Sequence, residues 1–446
     1  MSEIAYSRSP FSKAPEHPAD RVTALGRWLL VLLLIPATFY VGPLLLTPSR
    51  LFLLFATPIL LVKLFQGAYG RVRVPDLAML GFALWRILAL AMTMPDRVVQ
   101  YSGSTTVIIL GAYLCGRAAI RTPEHFAWMS KFLLLSVIAM LPLAIFESIT
   151  GAFIIPKIIN ALPGFSSIED VNYTRRFGLD RAQVVFDHPI LFGLYCTLPL
   201  SLAYVGLRQR LTLAGRLSTA VLVLAAIFFS VSSGAFLAAM FQIGLIAYGI
   251  VMRPVQRRWV VLVSALIVLY LIAEYVSSRP ALFVLVERIA FDAWNANYRR
   301  LIFEYGVQQV QMTPLFGVGI GEWAHADWMT NSIDNYWLGM AIQFGLPALF
   351  FLVLAVVSAV WLAARRRFDP EEEVSDQRLA WIFTFISISL TLATVFIWSD
   401  ASSAIYFVFG AGIWMLNWPG LPPEPTGRQD RHLPNSRFFG QVSKDL

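Results

Sequence analysis

Two long polar segments of the chain hold the side chains best suited to chemistry on a phosphorylated ligand. The first, residues 149–187, contains Arg176 and Arg181 and leads directly to Asp187 and His188. A guanidinium binds phosphate oxygens through two parallel hydrogen bonds, and histidine exchanges a proton near neutral pH. We therefore expect Arg176, Arg181 and His188 to contact such a ligand. The alternatives are a solvated loop arginine, an interfacial histidine, and Asp187 acting as N-cap of the next helix.

The second segment, residues 278–334, places basic and acidic side chains on one predicted helix. Residues 297–312 have an amphipathic pattern typical of a surface helix. Arg300 and Glu304 are four residues apart and share a face, and Arg299 lies beside them. As arginines of a long loop, Arg299 and Arg300 are candidates to bind phosphate oxygens. An internal ion pair between Arg300 and Glu304 is the alternative.

A glycine-rich stretch and a carboxylate complete the second segment. Gly317-Val-Gly319 has no preceding strand, which excludes a dinucleotide-binding turn; a tight turn is favoured over amides that cradle a phosphate. Asp334-Asn335 opens the next helix, where Asp334 is expected to take a proton from a hydroxyl group. An N-cap role is the alternative for this aspartate. Asn335 and His325 are further candidate binding residues.

These segments must be positioned by helices that span a membrane. Of 446 residues 57% are hydrophobic and only 14% are charged, which excludes a soluble globular protein and a disordered one. A hydrocarbon core of ~30 Å needs ~20 apolar residues in a helix. The sequence therefore predicts an all-α polytopic protein with about twelve spans, near 25–46, 50–66, 76–94, 103–121, 126–148, 188–207, 212–230, 234–252, 257–277, 335–364, 379–398 and 402–418.

The distribution of arginine predicts the orientation of the chain. With a cytoplasmic N-terminus, the short cytoplasmic loops hold fourteen arginines and the opposite short loops hold only Arg50 and Arg97. Both termini are therefore expected inside, as a cytoplasmic segment 1–24 and a disordered tail 419–446, around a membrane domain 25–418. Both long polar segments then face outward. Because most of the net charge of +8 serves orientation, we expect no nucleic-acid partner.

The sequence predicts neither a metal nor a cofactor. Cys115 and Cys196 both lie inside apolar runs, where a disulfide framework or a zinc site is not expected. No dense cluster of carboxylates is present in either long loop. Arg86 is the clear charge in the middle of a predicted span, and either a functional role or a structural ion pair would explain it.

Five motifs in order resemble the superfamily of bacterial O-antigen ligases and O-antigen polymerases. They span residues 175–350 and comprise Arg181-x5-Asp187-His188-Pro189-Ile190, Ser230-Val-Ser-Ser-Gly234, Arg300-Leu-Ile-Phe-Glu-Tyr-Gly306, Pro314-Leu-Phe-Gly317-Val-Gly319 and Asp334-Asn335-Tyr336-Trp337-Leu338. The resemblance implies a fold like that of type C glycosyltransferases in the bacterial inner membrane. It also implies metal-independent transfer of a glycan from an undecaprenyl-diphosphate carrier to an acceptor hydroxyl at the periplasmic face.

The resemblance assigns the diphosphate to loop arginines, here Arg181 and Arg300 with Arg176 and Arg299. Ligases typically have His-Asn where this chain has Asp334-Asn335. The expected function is therefore polymerisation of O-antigen or exopolysaccharide repeat units, with a ligase that transfers a finished glycan to lipid or protein as the alternative. The expected partners are the lipid-linked donor, a glycan acceptor, membrane lipid and other polysaccharide assembly proteins. A twelve-helix transporter of lipid-linked sugars is the alternative from another class.

Overall fold

The computed structural model describes residues 19–42, 44–168, 174–255, 257–276 and 293–421. The terminal segments 1–18 and 422–446 and the stretch 277–292 of the second long loop lie outside the described residues, so the expectations for them stay predictions. Helices dominate the described part, and strands are confined there to one short hairpin.

The helices follow the apolar runs of the sequence closely. They are α1 (Ala19–Leu32), α2 (Pro48–Phe65), α3 (Val74–Thr93), α4 (Val98–Tyr101), a π-helical continuation (Ser102–Gly111), α5 (Ala112–Ala119), α6 (Pro123–Thr150), α7 (Ile154–Asn160), α8 (Pro189–Tyr204), α9 (Leu213–Phe229), α10 (Ser233–Val251), α11 (Arg258–Val276), α12 (Ala293–Met312), α13 (Tyr336–Arg365), α14 (Glu373–Thr391) and α15 (Ser399–Gly410).

Seven helices of the described part are long and apolar enough to cross a membrane. They are Pro48–Phe65, Val74–Thr93, Pro95–Ala119, Pro123–Thr150, Ser233–Val251, Arg258–Tyr275 and Tyr336–Arg365. The helices α8 and α9 are apolar but shorter. A helical protein with apolar spanning helices is thus confirmed, whereas the count of twelve spans stays a prediction.

The first predicted span, 25–46, is wrong as a continuous helix. The helix α1 ends at Leu32, and an antiparallel hairpin follows, with strands β1 (Phe39–Val41) and β2 (Leu44–Leu46). Pro36 has no backbone N–H to continue a helix, and Gly42 adopts a positive φ of 60° at the turn between the strands. Counting apolar residues does not detect these two interruptions.

The helix α13 is broken at Gly345, where φ is 82°. Pro347 has no N–H to offer the carbonyl of Gln343, so that carbonyl accepts instead from the amide of Gly319 at 2.9 Å. The amide of Val318 donates to Ile342 O at 2.9 Å in the same way. The loop that follows α12 therefore supplies the hydrogen bonds that the broken helix lacks.

A second set of contacts holds the same loop against the break. The amide of Leu346 donates to Pro314 O at 2.7 Å. Trp85 of α3 donates from its indole nitrogen to Phe344 O at 3.0 Å and to Leu315 O at 3.3 Å. The glycine-rich stretch is therefore a tight turn against α13, as favoured from the sequence, and its amides are engaged with helix carbonyls.

The core consists of helix pairs that lie side by side, chiefly α3 with α13, α8 with α9, and α5 with α15. A buried ion pair between Asp76 and Arg117, 3.4 Å apart, joins α3 to α5 at the end of the bundle away from the long loops. Tyr113 donates to the same carboxylate at 2.6 Å. Because the buried charges are paired and hydrogen-bonded, the cost of removing them from water is largely offset.

We predict that Gly345→Ala destabilises the chain by more than about 2 kcal/mol, because alanine disfavours a positive φ and a tight core resists extra atoms. A Cβ atom at this position would clash with the carbonyl oxygen of Leu315. The matched control is Gly244→Ala in α10, where a Cβ atom would meet nothing within 4 Å. The midpoint of thermal unfolding in detergent measures both variants. Equal midpoints for the two variants would contradict the prediction.

Candidate functional site

A tight hairpin presents Arg176 in the first long loop. Arg176 and Leu179 exchange backbone hydrogen bonds of 3.1 and 3.0 Å around Phe177 and Gly178, whose φ values of 54° and 75° are those of a type I′ turn. Arg176 donates from Nη1 to Val231 O at 3.3 Å. The hairpin therefore directs this guanidinium towards the turn between α9 and α10.

An ion pair closes the base of the same hairpin. Arg175 binds both carboxylate oxygens of Asp180, with Nε–Oδ1 at 2.9 Å and Nη2–Oδ2 at 2.8 Å. The backbone of Asp180 is anchored in turn to Ser148 at the end of α6, through its amide at 3.0 Å and its carbonyl at 2.7 Å. Arg175 is thus structural, whereas Arg176 faces the site.

The buried carboxylate of Glu147 fixes the backbone that follows Arg181. Its Oε2 accepts hydrogen bonds from the amides of Gln183 at 3.1 Å and Val184 at 2.9 Å. Val184 adopts a φ of 53°, which is unfavourable for a β-branched residue and persists only where the surroundings enforce it. The amide of Ala182 also donates to Phe229 O at 3.0 Å. Arg181 is thereby held on a rigid segment, although sequence analysis did not select Glu147.

His188 caps α8 and is neutral at physiological pH. Its Nδ1 accepts from the amide of Ile190 at 3.1 Å, so the ring proton is on Nε2. Burial, followed by the positive charges of Arg181 and Arg176, lowers the pKa of His188 to about 4. The histidine therefore offers a hydrogen-bond donor next to two arginines. The alternative that Asp187 caps this helix is wrong, because the neighbouring His188 does so, and Asp187 is exposed.

The two adjacent arginines of α12 have different environments. Arg300 forms an ion pair with Glu304 through Nη1 and Oε1 at 2.6 Å, on the exposed side of the helix. Burial lowers the pKa of Arg299, the charge of nearby Asp334 raises it, and that of Arg176 lowers it. Among the described residues, nothing accepts a hydrogen bond from its buried Nε. Arg299 is therefore within electrostatic range of charges in both long loops, and the ion pair considered for Arg300 is present.

Asp334 is within electrostatic range of Arg299 and does not cap α13. The cap is Asn335, whose Oδ1 accepts from the amide of Leu338 at 3.0 Å, so the N-cap role considered for Asp334 is wrong. Asp334 Oδ1 accepts from the Ser332 hydroxyl at 3.1 Å. A carboxylate that is not engaged in capping is thus held in electrostatic range of a partly buried guanidinium.

His325 occupies a separate position within the second loop. Its Nε2 lies 2.7 Å from Asn331 Oδ1, its Nδ1 lies 2.9 Å from Ala326 O, and its ring packs on Trp323. The hydrogen bonds to Ala326 and Asn331 raise the pKa of His325. These contacts stay within the loop, so its predicted binding role lacks support from proximity to the arginines.

A third segment, the turn from Leu392 to Asp400, borders the site and was not selected from the sequence. The amide of Tyr336 donates to Leu392 O at 2.8 Å, which attaches the turn to the start of α13. The Trp398 ring lies 5.6 Å from the His188 ring, which attaches it to the start of α8. The only signal in the sequence was a carboxylate, Asp400, between the last two apolar runs.

The site therefore gathers Arg176, Arg181, His188, Arg299 and Asp334 at one end of the helix bundle. Three positive charges, one carboxylate and one neutral imidazole suit an anionic ligand that reacts with a hydroxyl group. Among the described residues, no group of three or more histidine, cysteine, aspartate or glutamate side chains is placed to hold a metal ion.

Residues 218–353 match a family model described as O-antigen ligase. This segment is similar to the O-antigen ligase family. The resemblance drawn from the motifs is thereby confirmed, and together with the apolar helices it identifies a membrane protein. A comparison with curated proteins finds no match.

The O-antigen ligase segment contains only part of the site. Arg299 and Asp334 lie within it, as does the loop that supplies hydrogen bonds at the break in α13. Arg181 and His188 precede the segment, and Trp398 follows it. The flanking residues are joined to this segment by contacts such as those of Arg176 with Val231 and of Leu392 with Tyr336.

We predict that His188 makes the stability of the fold fall as the pH is lowered from about 6.5 to about 4. The unfolded chain binds a proton in this range and the folded chain does not, which corresponds to a loss of up to about 3 kcal/mol. Thermal unfolding midpoints between pH 4.5 and 7 should therefore depend less on pH in His188→Asn, which retains a capping side chain.

The matched control for this prediction is His325→Asn. The pKa of His325 is raised, so this residue contributes stability that is lost as the pH increases, and its removal should change the pH profile in the opposite direction. A His188→Asn profile parallel to that of the unmodified chain would contradict the assignment of a neutral, buried histidine.

Proposed function

We propose that the chain polymerises undecaprenyl-diphosphate-linked oligosaccharide repeat units at the periplasmic face of a bacterial inner membrane. The observation that carries this proposal is the convergence of Arg176, Arg181 and Arg299 next to Asp334 and His188. Membership of residues 218–353 in the O-antigen ligase family supports a glycosyltransferase-like activity on lipid-linked glycans. Both termini are proposed to be cytoplasmic, which places the site outside.

The proposed reaction transfers one glycosyl group from the diphosphate to the acceptor hydroxyl. The bond between the donor sugar carbon and the diphosphate oxygen breaks, and a bond from that carbon to the acceptor oxygen forms. Negative charge grows on the departing diphosphate, and arginines already in position stabilise it most where water is scarce. Arg176, Arg181 and Arg299 are proposed to hold the diphosphate, with the Nε2–H of His188 as an additional donor.

Asp334 is proposed to accept the proton of the acceptor hydroxyl. A carboxylate close to the departing diphosphate can do so as the new bond forms. Asn335 contributes by capping α13, which fixes the backbone next to Asp334. The role expected for Arg300 requires its ion pair with Glu304 to open, so we propose Arg299 as the principal contact from α12.

Polymerisation is preferred to ligation because of the residues at the start of α13. The resemblance implies His-Asn at this place in ligases, whereas this chain has Asp334-Asn335. Transfer of a finished glycan to a lipid or protein acceptor is the alternative, since it requires the same diphosphate site. Transport is disfavoured because the polar side chains gather at one end of the helices, not at their middle.

Disruption of the gene tests the proposed function. Surface and secreted glycans are then sized by gel electrophoresis, and lipid-linked intermediates are extracted. A polymerase predicts loss of long chains with single repeat units retained on the lipid carrier. Full-length glycan that remains unattached would indicate a ligase, and unchanged glycan lengths would contradict both.

Complementation of the disrupted strain tests the residues. Arg299→Ala and Asp334→Asn should each reduce polymer formation by at least about a hundredfold, because one removes charge stabilisation and the other removes the base. Arg300→Ala should lose less than Arg299→Ala. The control is Arg97→Ala, an exposed arginine in an external short loop, which should restore long chains at equal protein levels in the membrane. Full polymer length with both site variants would remove the mechanism.

A further inference from the structure

The turn between α14 and α15, from Leu392 to Asp400, borders the proposed diphosphate site. Besides the hydrogen bond from Tyr336 to Leu392, the Phe396 ring packs edge-on against Tyr336, with centroids 5.2 Å apart. At its other end, Trp398 lies against His188. The turn therefore spans from the neighbourhood of the proposed base to that of the proposed diphosphate site, and none of its residues has a role in the reaction described above.

The backbone of this turn is held in a costly conformation. Ser399 adopts a φ of 53°, a region that disfavours residues other than glycine. The next residue, Asp400, is buried, and its Oδ1 accepts from the Ser49 hydroxyl at 2.5 Å. Ser49 also bonds Thr47, the cap of α2, at 2.7 Å. Asp400 therefore ties the strained turn to α2, and this attachment keeps Trp398 in place at the rim of the site.

The surface at Trp398 combines the flat apolar face of the indole with charged side chains nearby. The side chain of Trp398 remains 38% exposed although it packs against His188. Asp187 is exposed next to His188, and the charges of Arg50 and Asp187 both act on the carboxylate of Asp400. Arg50 is one of the two arginines that the orientation rule leaves on the outer side. An exposed indole packed against His188, with the Asp187 carboxylate next to that histidine and the Arg50 guanidinium in electrostatic range of Asp400, offers stacking and hydrogen bonds to one ligand.

We propose that Trp398, Asp187 and Arg50 bind the sugar ring of the acceptor glycan. The indole stacks on the apolar face of the ring, while Asp187 and Arg50 bind its hydroxyl groups. This sugar site lies beside His188. A hydroxyl group of the bound sugar would therefore lie near the proposed diphosphate site and the proposed base, Asp334. This inference rests on the proposed function. The competing explanation is that Trp398 is an interfacial anchor in the lipid headgroup region.

The test measures acceptor binding separately from donor binding. The donor is the single-repeat lipid diphosphate extracted from the disrupted strain. The acceptor probe is the repeat-unit oligosaccharide released from that lipid by mild acid and joined to an octyl chain, which has no diphosphate and cannot act as a donor. Initial rates of transfer in proteoliposomes give KM for each substrate.

We expect Trp398→Ala to raise KM for the acceptor probe roughly tenfold, as loss of one aromatic stacking contact does, with the donor KM unchanged. Trp398→Tyr should restore most of the affinity because it retains an aromatic face. Asp187→Asn, at an exposed position that tolerates substitution, should raise the same KM. The control is Trp361→Ala, an exposed tryptophan that stacks with Arg365 far from the site.

Direct binding distinguishes failure of this inference from failure of the proposed function. The released oligosaccharide should quench tryptophan fluorescence of the unmodified chain and of Trp361→Ala, but not that of Trp398→Ala. Quenching without transfer in the unmodified chain would support the sugar site and reject polymerisation from this donor. An unchanged acceptor KM in Trp398→Ala and Asp187→Asn would overturn the sugar site. Reduced insertion of Trp398→Ala with normal acceptor KM in Asp187→Asn would indicate a membrane anchor and also overturn it.

Discussion

The break in α13 at Gly345 is the constraint on which the arrangement of the site depends. Inside a membrane, water does not hydrogen-bond backbone groups that a broken helix leaves unpaired, and each such group costs several kcal/mol. Here the loop after α12 supplies the missing partners through Val318, Gly319 and Pro314. This loop begins at the end of α12, the helix that carries Arg299. The first half of α13 begins just after Asp334. The hydrogen bonds between the loop and α13 therefore also hold Arg299 and Asp334 in a fixed relative position. Glu147 does the equivalent for the first loop, since it orders the backbone next to Arg181.

The general plan of the molecule could be predicted from the sequence because a membrane imposes it directly. The length of an apolar run sets a helix, and arginine left on the outer side of the membrane is conspicuous when so few charges exist. The same reasoning selected Arg176, Arg181 and His188, which the structure brings together. It was wrong for the run 25–46, because hydropathy averages over a proline and a turn glycine that interrupt a helix without making the segment polar.

The finer assignments depend on contacts between distant parts of the chain, which local patterns do not contain. Arg299 and Arg300 are neighbours in sequence, yet successive residues of a helix project about 100° apart, so only the packing of α12 decides that the Nε of Arg299 is buried while Arg300 pairs with Glu304. Asp187 and Asp334 both precede residues that take the capping role, an offset of one position that propensity does not resolve. Asp400 meets Ser49 across 351 positions of sequence, so the turn that carries Trp398 could not be linked to the site in advance.

Arg86 is the remaining charge within a span. Its guanidinium lies over the rings of Phe82 at 5.3 Å and Phe344 at 4.4 Å, and a cation over an aromatic face is stabilised without a carboxylate. The structural ion pair considered for it is absent among the described residues. Phe344 ends the first half of α13, where helix carbonyls carry partial negative charge that favours a nearby cation. The ring contacts and the end of the broken helix give Arg86 a structural setting, although its buried Nε and Nη1 donate to no acceptor among the described residues.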